Sequence, residues 1–416
     1  MVGASFIAEM TSAGAGVYLL GVMLVPMQEA LNTSRTVISL GLTIRQIVTA
    51  ITGPFVGPIV DRKDGAKWVM VIAGFLGGVS LMLTGLAQAP WQFLLTFGVG
   101  GGIGALASGF LVVQVLLSKW FVRQRGRAIA LAAMGINVGG LIIIPLATWL
   151  ISAVGWRAVW LVVGILVWVL IIPVALFVVK TQPEDMGLRP DGDPPIANPT
   201  TSAISTAGER KESTEVHWTR REAFRTPTLW LLLITFNLAG AELSGTVIHQ
   251  KAYLQEQGVS NAMAAAAFTA FVWASFSGKP FWGFIIDKIN THLALVLIYF
   301  MTSLGLGMML IVDNVPTAFL ASLVFGISVS ATSTIQAVVW ASYYGRNFLG
   351  SIRGMVAPFS LIANAGGPVM AAAVHDATNS YAIPFSLFLA FALAATATAL
   401  FARPPTKQPA LRGIEA

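Results

Sequence analysis

The sequence predicts an all-α membrane protein: twelve transmembrane helices in two pseudo-symmetric six-helix bundles. Composition, the length of the apolar runs and an internal repeat carry that expectation. The chain of 416 residues is 56% hydrophobic and 10% charged, whereas an ordinary soluble domain carries about 25% charged residues. A soluble fold of this composition would lack the polar surface to stay in water. The apolar runs are about 20 to 27 residues long and do not alternate, the length of a membrane-crossing helix. In lipid only helices and closed barrels satisfy the backbone, and the missing alternation excludes the barrel.

Taken in order, the spans run 3–27, 35–60, 68–87, 91–117, 127–152, 156–179, 228–252, 261–286, 292–312, 315–342, 355–375 and 382–402. The first lacks the positive leader of a signal peptide and is expected to be retained. Arg62, Lys63 and Lys67 separate the second from the third, and the charges from Lys119 to Arg127 separate the fourth from the fifth. Gly155-Trp156-Arg157 divides the fifth from the sixth. The stretch 180–225 is rich in Pro, Ser, Thr, Asp and Glu and reads as a solvated linker with a short amphipathic piece near its end. Lys288 closes the eighth span, and Arg346 and Arg353 lie between the tenth and eleventh. The expected units are therefore a bundle over 1–179, a linker over 180–225, a second bundle over 226–402 and a tail over 403–416.

Placing both termini in the cytoplasm puts 20 of the 25 Lys and Arg residues on that side. Only Arg35, Arg157 and Lys251 then fall outside, a strong positive-inside bias. The halves also repeat. Gly53-Pro54-Phe55-Val56-Gly57-Pro58-Ile59-Val60-Asp61-Arg62 matches Lys279-Pro280-Phe281-Trp282-Gly283-Phe284-Ile285-Ile286-Asp287-Lys288 at an offset of 226. Asn137-Val138-Gly139-Gly140 recurs as Asn364-Ala365-Gly366-Gly367 at an offset of 227. Two matches at nearly one offset indicate a duplicated six-helix unit, the architecture of a rocking secondary transporter.

Several function classes fall away. The net charge of +7 sits in short turns between apolar runs, which argues against a nucleic-acid partner. With no cysteine and four histidines unpaired at ligand spacing, neither a disulfide nor a metal site is expected, and no cofactor. The run Gly98-Val99-Gly100-Gly101-Gly102-Ile103-Gly104 lies inside an apolar helix with no Lys-Ser/Thr after it, so it reads as close helix packing rather than a nucleotide loop. Nothing supports an enzyme, and no ATP-binding module is present, so active transport would run on gradients.

The turn Gly57-x-x-x-Asp61-Arg62-x-x-Gly65-x-Lys67 resembles the signature turn of the major facilitator superfamily, with one extra residue before Gly65. Lys119-Trp120-Phe121-Val122-Arg123-Gln124-Arg125-Gly126-Arg127-Ala128 resembles the corresponding segment of the monocarboxylate transporter group, including bacterial relatives near the oxalate:formate antiporters. Pro183-Glu184-Asp185-Met186-Gly187-Leu188-Arg189-Pro190-Asp191-Gly192 and Tyr344-Gly345-Arg346 are similar to the same bacterial group. The resemblance covers nearly the whole chain. It implies the major facilitator fold, a monomer in a bacterial inner membrane, and a small organic anion as cargo.

An ionisable side chain inside a span costs about 2.5–3.5 kcal/mol on insertion scales, so each one requires a reason. Lys279 lies eight residues from Asp287, about 12 Å along the helix, and Arg45 lies about 24 Å from Asp61. The resemblance implies that an arginine at the position of Lys279 engages the substrate carboxylate, and that its acidic partner falls here on Ser275. Relatives usually carry an aliphatic or small residue where Arg45 stands. Lys279 is expected to anchor the anion and Arg45 to contact its other end, with Asn364, Trp273 and Ser275 as further contacts. The alternative is that each cation neutralises a buried carboxylate, Glu242 or Glu9. Those two acids, with His249, are the candidates for carrying protons or supplying counter-charge. Asp61 and Asp287, at helix ends, can pair with a cation or cap a neighbouring helix, so Asp61, Arg62, Asp287, Lys288, Arg125 and Arg353 are the expected gate.

The expected function is thus secondary transport of a mono- or dicarboxylate across the lipid bilayer, as proton symport or anion exchange. An exporter of amphiphilic compounds would have an apolar, aromatic cavity and no need of Lys279. A sensor on the same scaffold would bind without counterflow.

Overall fold

A computed structural model describes residues 1–106, 110–193 and 217–406. The middle of the expected linker, with Arg210 and Lys211, and most of the tail, with Lys407 and Arg412, lie outside the described residues. Every regular element among the described residues is helical.

Twelve long helices follow in chain order: α1 Val2–Ala30, α2 Arg35–Asp61, α3 Gly65–Gly85, α4 in two stretches (90–104 and Phe110–Trp120), α5 Arg125–Val154 and α6 Trp156–Val178. Then come α7 Pro227–Glu256, α8 Asn261–Lys288, α9 Thr291–Leu310, α10 Val315–Tyr344, α11 Leu349–Thr378 and α12 Ala382–Phe401. Ten are long and apolar enough to cross a membrane by length and composition, and α4 and α8 complete the twelve. An even number of crossings brings the two ends of the chain to one face, called here the termini-bearing face.

Local chemistry sets many of the starts. Ser34, Thr226, Ser260, Asn290 and Asn314 each accept a backbone N–H of the helix that follows, the ordinary N-cap bond. Three helices depart from regular winding, among them α6, which is π-helical over Val174–Val178 at its end. α1 is π-helical over Gly14–Tyr18 and α4 over Leu94–Gly100, features that recur at functional sites. The glycine run of α4 packs as expected: a Cβ on Gly104 would lie 2.3 Å from the Cα of Gly77 on α3.

The start of α11 corrects the sequence reading. The apolar run begins at 355, but the helix begins at Leu349, and Arg353 is buried inside it. Leu349-Gly350-Ser351 can be helical because a carboxylate from α2, described below, accepts its first N–H groups.

Among the described residues the first six helices meet the last six chiefly in two pairs, α2 with α11 and α5 with α8, with smaller contacts of α4 and α5 on α10 and of α4 on α11. The approach is close. A Cβ on Gly57 would lie 2.2 Å from the carbonyl oxygen of Gly350, and one on Gly354 would lie 2.3 Å from that of Gly53. Both pairs meet toward the termini-bearing face, so the molecule is closed there.

Candidate functional site

The closed face is held by two carboxylates that cap helices of the opposite half. Asp61, ending α2, accepts the backbone N–H of Gly350 at 2.8 Å and of Ser351 at 2.7 Å. Asp287, near the end of α8, accepts those of Gly126 at 2.6 Å and Arg127 at 3.2 Å, and the Arg127 guanidinium at 2.9 Å. These are the second and third helical positions of α11 and α5, the N–H groups a helix leaves unsatisfied. The residues preceding those helices, Phe348 and Gln124, supply no side-chain cap. Each acid therefore completes a helix start that its own half leaves open, where the helix dipole favours negative charge.

Of the other expected gate residues, Arg125 is buried and crosses between the halves, its guanidinium donating to Ser342 on α10 and to the Ser118 and Phe121 carbonyls. Arg353 faces inward toward Glu9. Arg62 and Lys288 are exposed, and Lys288 lies over the ring of Phe284 on its own helix. Sequence reasoning took Lys119, whose ammonium donates to the Asp61 carbonyl at 3.2 Å, and the strap 183–192 as marks of the resemblance and gave neither a place in the gate. In that strap Glu184 pairs with Arg346 at 2.7 Å. Asp191 accepts the backbone N–H groups of Val122, Arg123 and Gln124. The strap thus touches both halves at the closed face, and its acid-rich motif was the available signal.

Above the caps, the α5–α8 crossing holds the first polar cluster. Lys279 is 8% exposed, and its ammonium donates to the Ala133 carbonyl at 2.9 Å and to Oδ1 of Asn137 at 2.8 Å. Both acceptors are neutral. Glu9 on α1 lies in electrostatic range of Lys279 and of Arg353 on α11, but no ion pair to Lys279 forms within 4 Å among the described residues. Of the two acids offered as neutralising Lys279, the facing one is Glu9. At the matching place in the other crossing stands Gly53, which packs against the backbone of Gly354 and the methyl of Ala357.

Arg45 stands apart from this cluster. It is 8% exposed on α2, and its guanidinium lies 5.3 Å from the ring centre of Phe97 in the π-helical part of α4. The π-helical part of α1 makes room for it: a Cβ on Gly16 would lie 2.7 Å from Nη2. Nη1 has no hydrogen-bond partner, and no carboxylate pairs with the group among the described residues.

The remaining candidates divide. Ser275 is half-buried one turn from Lys279 on the same side of α8. Trp273 is 61% exposed and shares a face with exposed Ser277, Pro280 and Phe284. That face is turned by about 120° from Lys279, so the structure does not bring Trp273 to the cluster. Asn364 is exposed on α11, donates to the Ser360 carbonyl at 2.7 Å and packs beside Gly240 of α7. His249 hydrogen-bonds the Tyr381 hydroxyl and the Pro368 carbonyl, tying α7 to α11 and the start of α12 within one half. Glu242, in the middle of α7, is fully buried with neither oxygen hydrogen-bonded. No group of three or more potential metal ligands occurs among the described residues.

Comparisons with known proteins bear on the family and the fold. The family model described as Major Facilitator Superfamily matches residues 10–248 and 235–416. The oxalate:formate antiporter of Oxalobacter formigenes is 24% identical over 401 residues, covering 92% of this chain and 87% of that one. Monocarboxylate transporter 14 of Mus musculus is 26% identical over 210 residues, 50% of this chain and 40% of the mouse protein. Among solved structures, the human organic anion transporter MFSD10 has a similar fold, with a TM-score of 0.69 at 14% identity over 96% of this chain and 98% of that one.

Proposed function

The chain belongs to the Major Facilitator Superfamily, and from that premise we propose that it is a secondary active transporter of a small organic anion, a mono- or dicarboxylate. The observation that carries this reading is Lys279. It is a buried ammonium at the crossing of the two halves whose hydrogen bonds go only to neutral acceptors. An ammonium has three donors, so a third N–H remains for a carboxylate. Lysine keeps the charge of an arginine anchor without its bidentate fork, so recognition is less directional. The similarity to an oxalate:formate antiporter and a monocarboxylate transporter supports carboxylate cargo. Glu9 would supply the counter-charge when the site is empty and compete with the anion for Lys279.

Alternating access follows from the caps. With bundles 1–179 and 226–402 rocking about the linker 180–225, opening the termini-bearing face breaks the bonds of Asp61 and Asp287. The placement of basic residues supports a cytoplasmic assignment for that face in a bacterial inner membrane. Arg45 would meet a second polar end of the cargo.

A thermal-shift screen of the purified protein against oxalate, formate, lactate and succinate tests this reading. At least one acid is expected to stabilise the wild type, less so in Lys279→Ala and again in Lys279→Arg. Full stabilisation of the Ala variant would overturn the anchor. Saturable counterflow of the stabilising acid in proteoliposomes separates transport from sensing.

A further inference from the structure

The cluster around Lys279 leaves one membrane acid unused. Glu242 occupies the middle of the 30-residue helix α7 and is 0% exposed, and both carboxylate oxygens lack a hydrogen-bond partner. Glu9 faces two cations. Glu242 faces none among the described residues.

The elements packed around Glu242 make this concrete. From α9 comes the hydroxyl of Tyr299, which also faces Gln336 of α10. α11 packs on other sides of α7, with the neutral amide of Asn364 beside Gly240 and the backbone of Gly367 against Ala241, positions turned by about 160° and 100° from Glu242. The ionisable groups of that helix, Arg353, His375 and Asp376, lie eleven or twelve residues from Asn364, about 16 to 18 Å along the axis. From α12, Phe388 covers Gly245. The cation of α8, Lys279, is turned to α5. On α7 itself, Thr246 is one turn away with its own hydroxyl unpaired, and His249 is engaged by Tyr381 and Pro368.

An ionised carboxylate with no counter-charge and no donor is prohibitively costly in such a place, so the group neutralises. Thr246 and Tyr299 offer too few oxygens to stand in for the shell of a metal cation, which leaves a proton. We propose that Glu242 is the coupling site of the transporter: it holds one proton as the neutral acid in this conformation and carries it with the anion. This inference rests on the transport reading above. The proton arrives from water on the open side and adds to a carboxylate oxygen. It leaves to water on the other side, and no other bond changes.

The same helix α7 is packed tightly against one that the closed face controls: a Cβ on Gly367 of α11 would lie 1.9 Å from the Ala241 carbonyl oxygen, and α11 is the helix whose start Asp61 caps.

Two measurements test the proposal. First, infrared spectra of the purified protein at neutral pH are expected to show a protonated-carboxyl carbonyl band that disappears in Glu242→Gln and survives in Glu9→Gln. A band unaffected by Glu242→Gln overturns the inference, whatever the cargo. Second, proteoliposomes are assayed with radiolabelled oxalate, lactate and succinate under an inward pH gradient. One proton per anion gives about tenfold accumulation per unit of pH gradient. Glu242→Gln, which mimics the neutral acid in shape, is expected to lose this accumulation and keep counterflow, while Glu242→Asp retains both. Counterflow without gradient response in the wild type, or a response to sodium in place of pH, overturns the coupling site and leaves the transporter standing. No counterflow in the wild type overturns the transport reading, and coupling with it.

Discussion

Asp61 accepts both the backbone N–H and the hydroxyl of Ser351, each at 2.7 Å, across 290 residues of chain. With Asp287 on Gly126 and Arg127, it makes a reciprocal lock in which each half finishes a helix of the other. These bonds set the first expectations.

Replacing Asp61 with Asn keeps an acceptor and removes the charge. Loss of a cap costs about 0.5–2 kcal/mol, and hydrogen bonds to charged groups contribute about 1.5–3 kcal/mol. A change of about 2 kcal/mol is about thirtyfold in the ratio of closed to open forms. The chain has no cysteine, so spin labels placed by Arg62→Cys and Phe348→Cys report the opening directly. The label distance is expected to lengthen in Asp61→Asn, and to lengthen further when Asp287→Asn is added.

Gly57→Ala is expected to act on the same equilibrium by steric means. Its methyl would meet the backbone of Gly350 at 2.2 Å, and backbone cannot swing aside as a flexible side chain does. Gly366→Ala is the matched control, because nothing lies within 4 Å of a Cβ there. The same label pair should report opening in the first variant and none in the second.

The Lys279 cluster makes an asymmetric forecast. Lys279→Ala is expected to weaken binding of the stabilising organic acid by about 10- to 100-fold, the equivalent of one charge-assisted hydrogen bond. Glu9→Gln removes the competitor and is expected to leave affinity unchanged or raise it. Titration calorimetry with each variant decides the matter. Equal losses in both would make the pair a structural unit instead of an anchor and its rival.

The strap gives a small effect by the same reasoning. Arg346 and Glu184 are 20% and 41% exposed, and exposed ion pairs contribute about 0–1 kcal/mol. Glu184→Gln is expected to change the closed population less than about fivefold, with the difference vanishing in high salt. A larger, salt-insensitive effect would show that the strap closes the face by more than charge.

Much of this was legible because the bilayer sorts residues so strictly. A lysine at 279 inside an apolar run, or an aspartate ending each repeat, is conspicuous against lipid-compatible neighbours. The partners were harder to read. Asn137 meets Lys279 across 142 residues, and Gly350 and Ser351 bond Asp61 through backbone groups that every residue owns. The direction of Trp273 was not legible either. A helix apolar on all sides has no hydrophobic stripe to tell which way a side chain turns, so Trp273 was grouped with Lys279 though it faces away. The early start of α11 escaped for a related reason, since the stabilising cap comes from another helix.

The lock has an uneven susceptibility to mutation. Four of its donors are main-chain N–H groups, which no substitution at 126, 127, 350 or 351 removes except proline; the Ser351 hydroxyl and the Arg127 guanidinium add to them. Its acceptors are two single carboxylates with no understudy. The receiving helix starts are not free to drift either where backbone lies against them: a Cβ on Gly350 would lie 2.5 Å from the Gly57 carbonyl oxygen and one on Gly126 2.7 Å from that of Gly283, so loss of closure is concentrated at these two glycines and at the codons of Asp61 and Asp287.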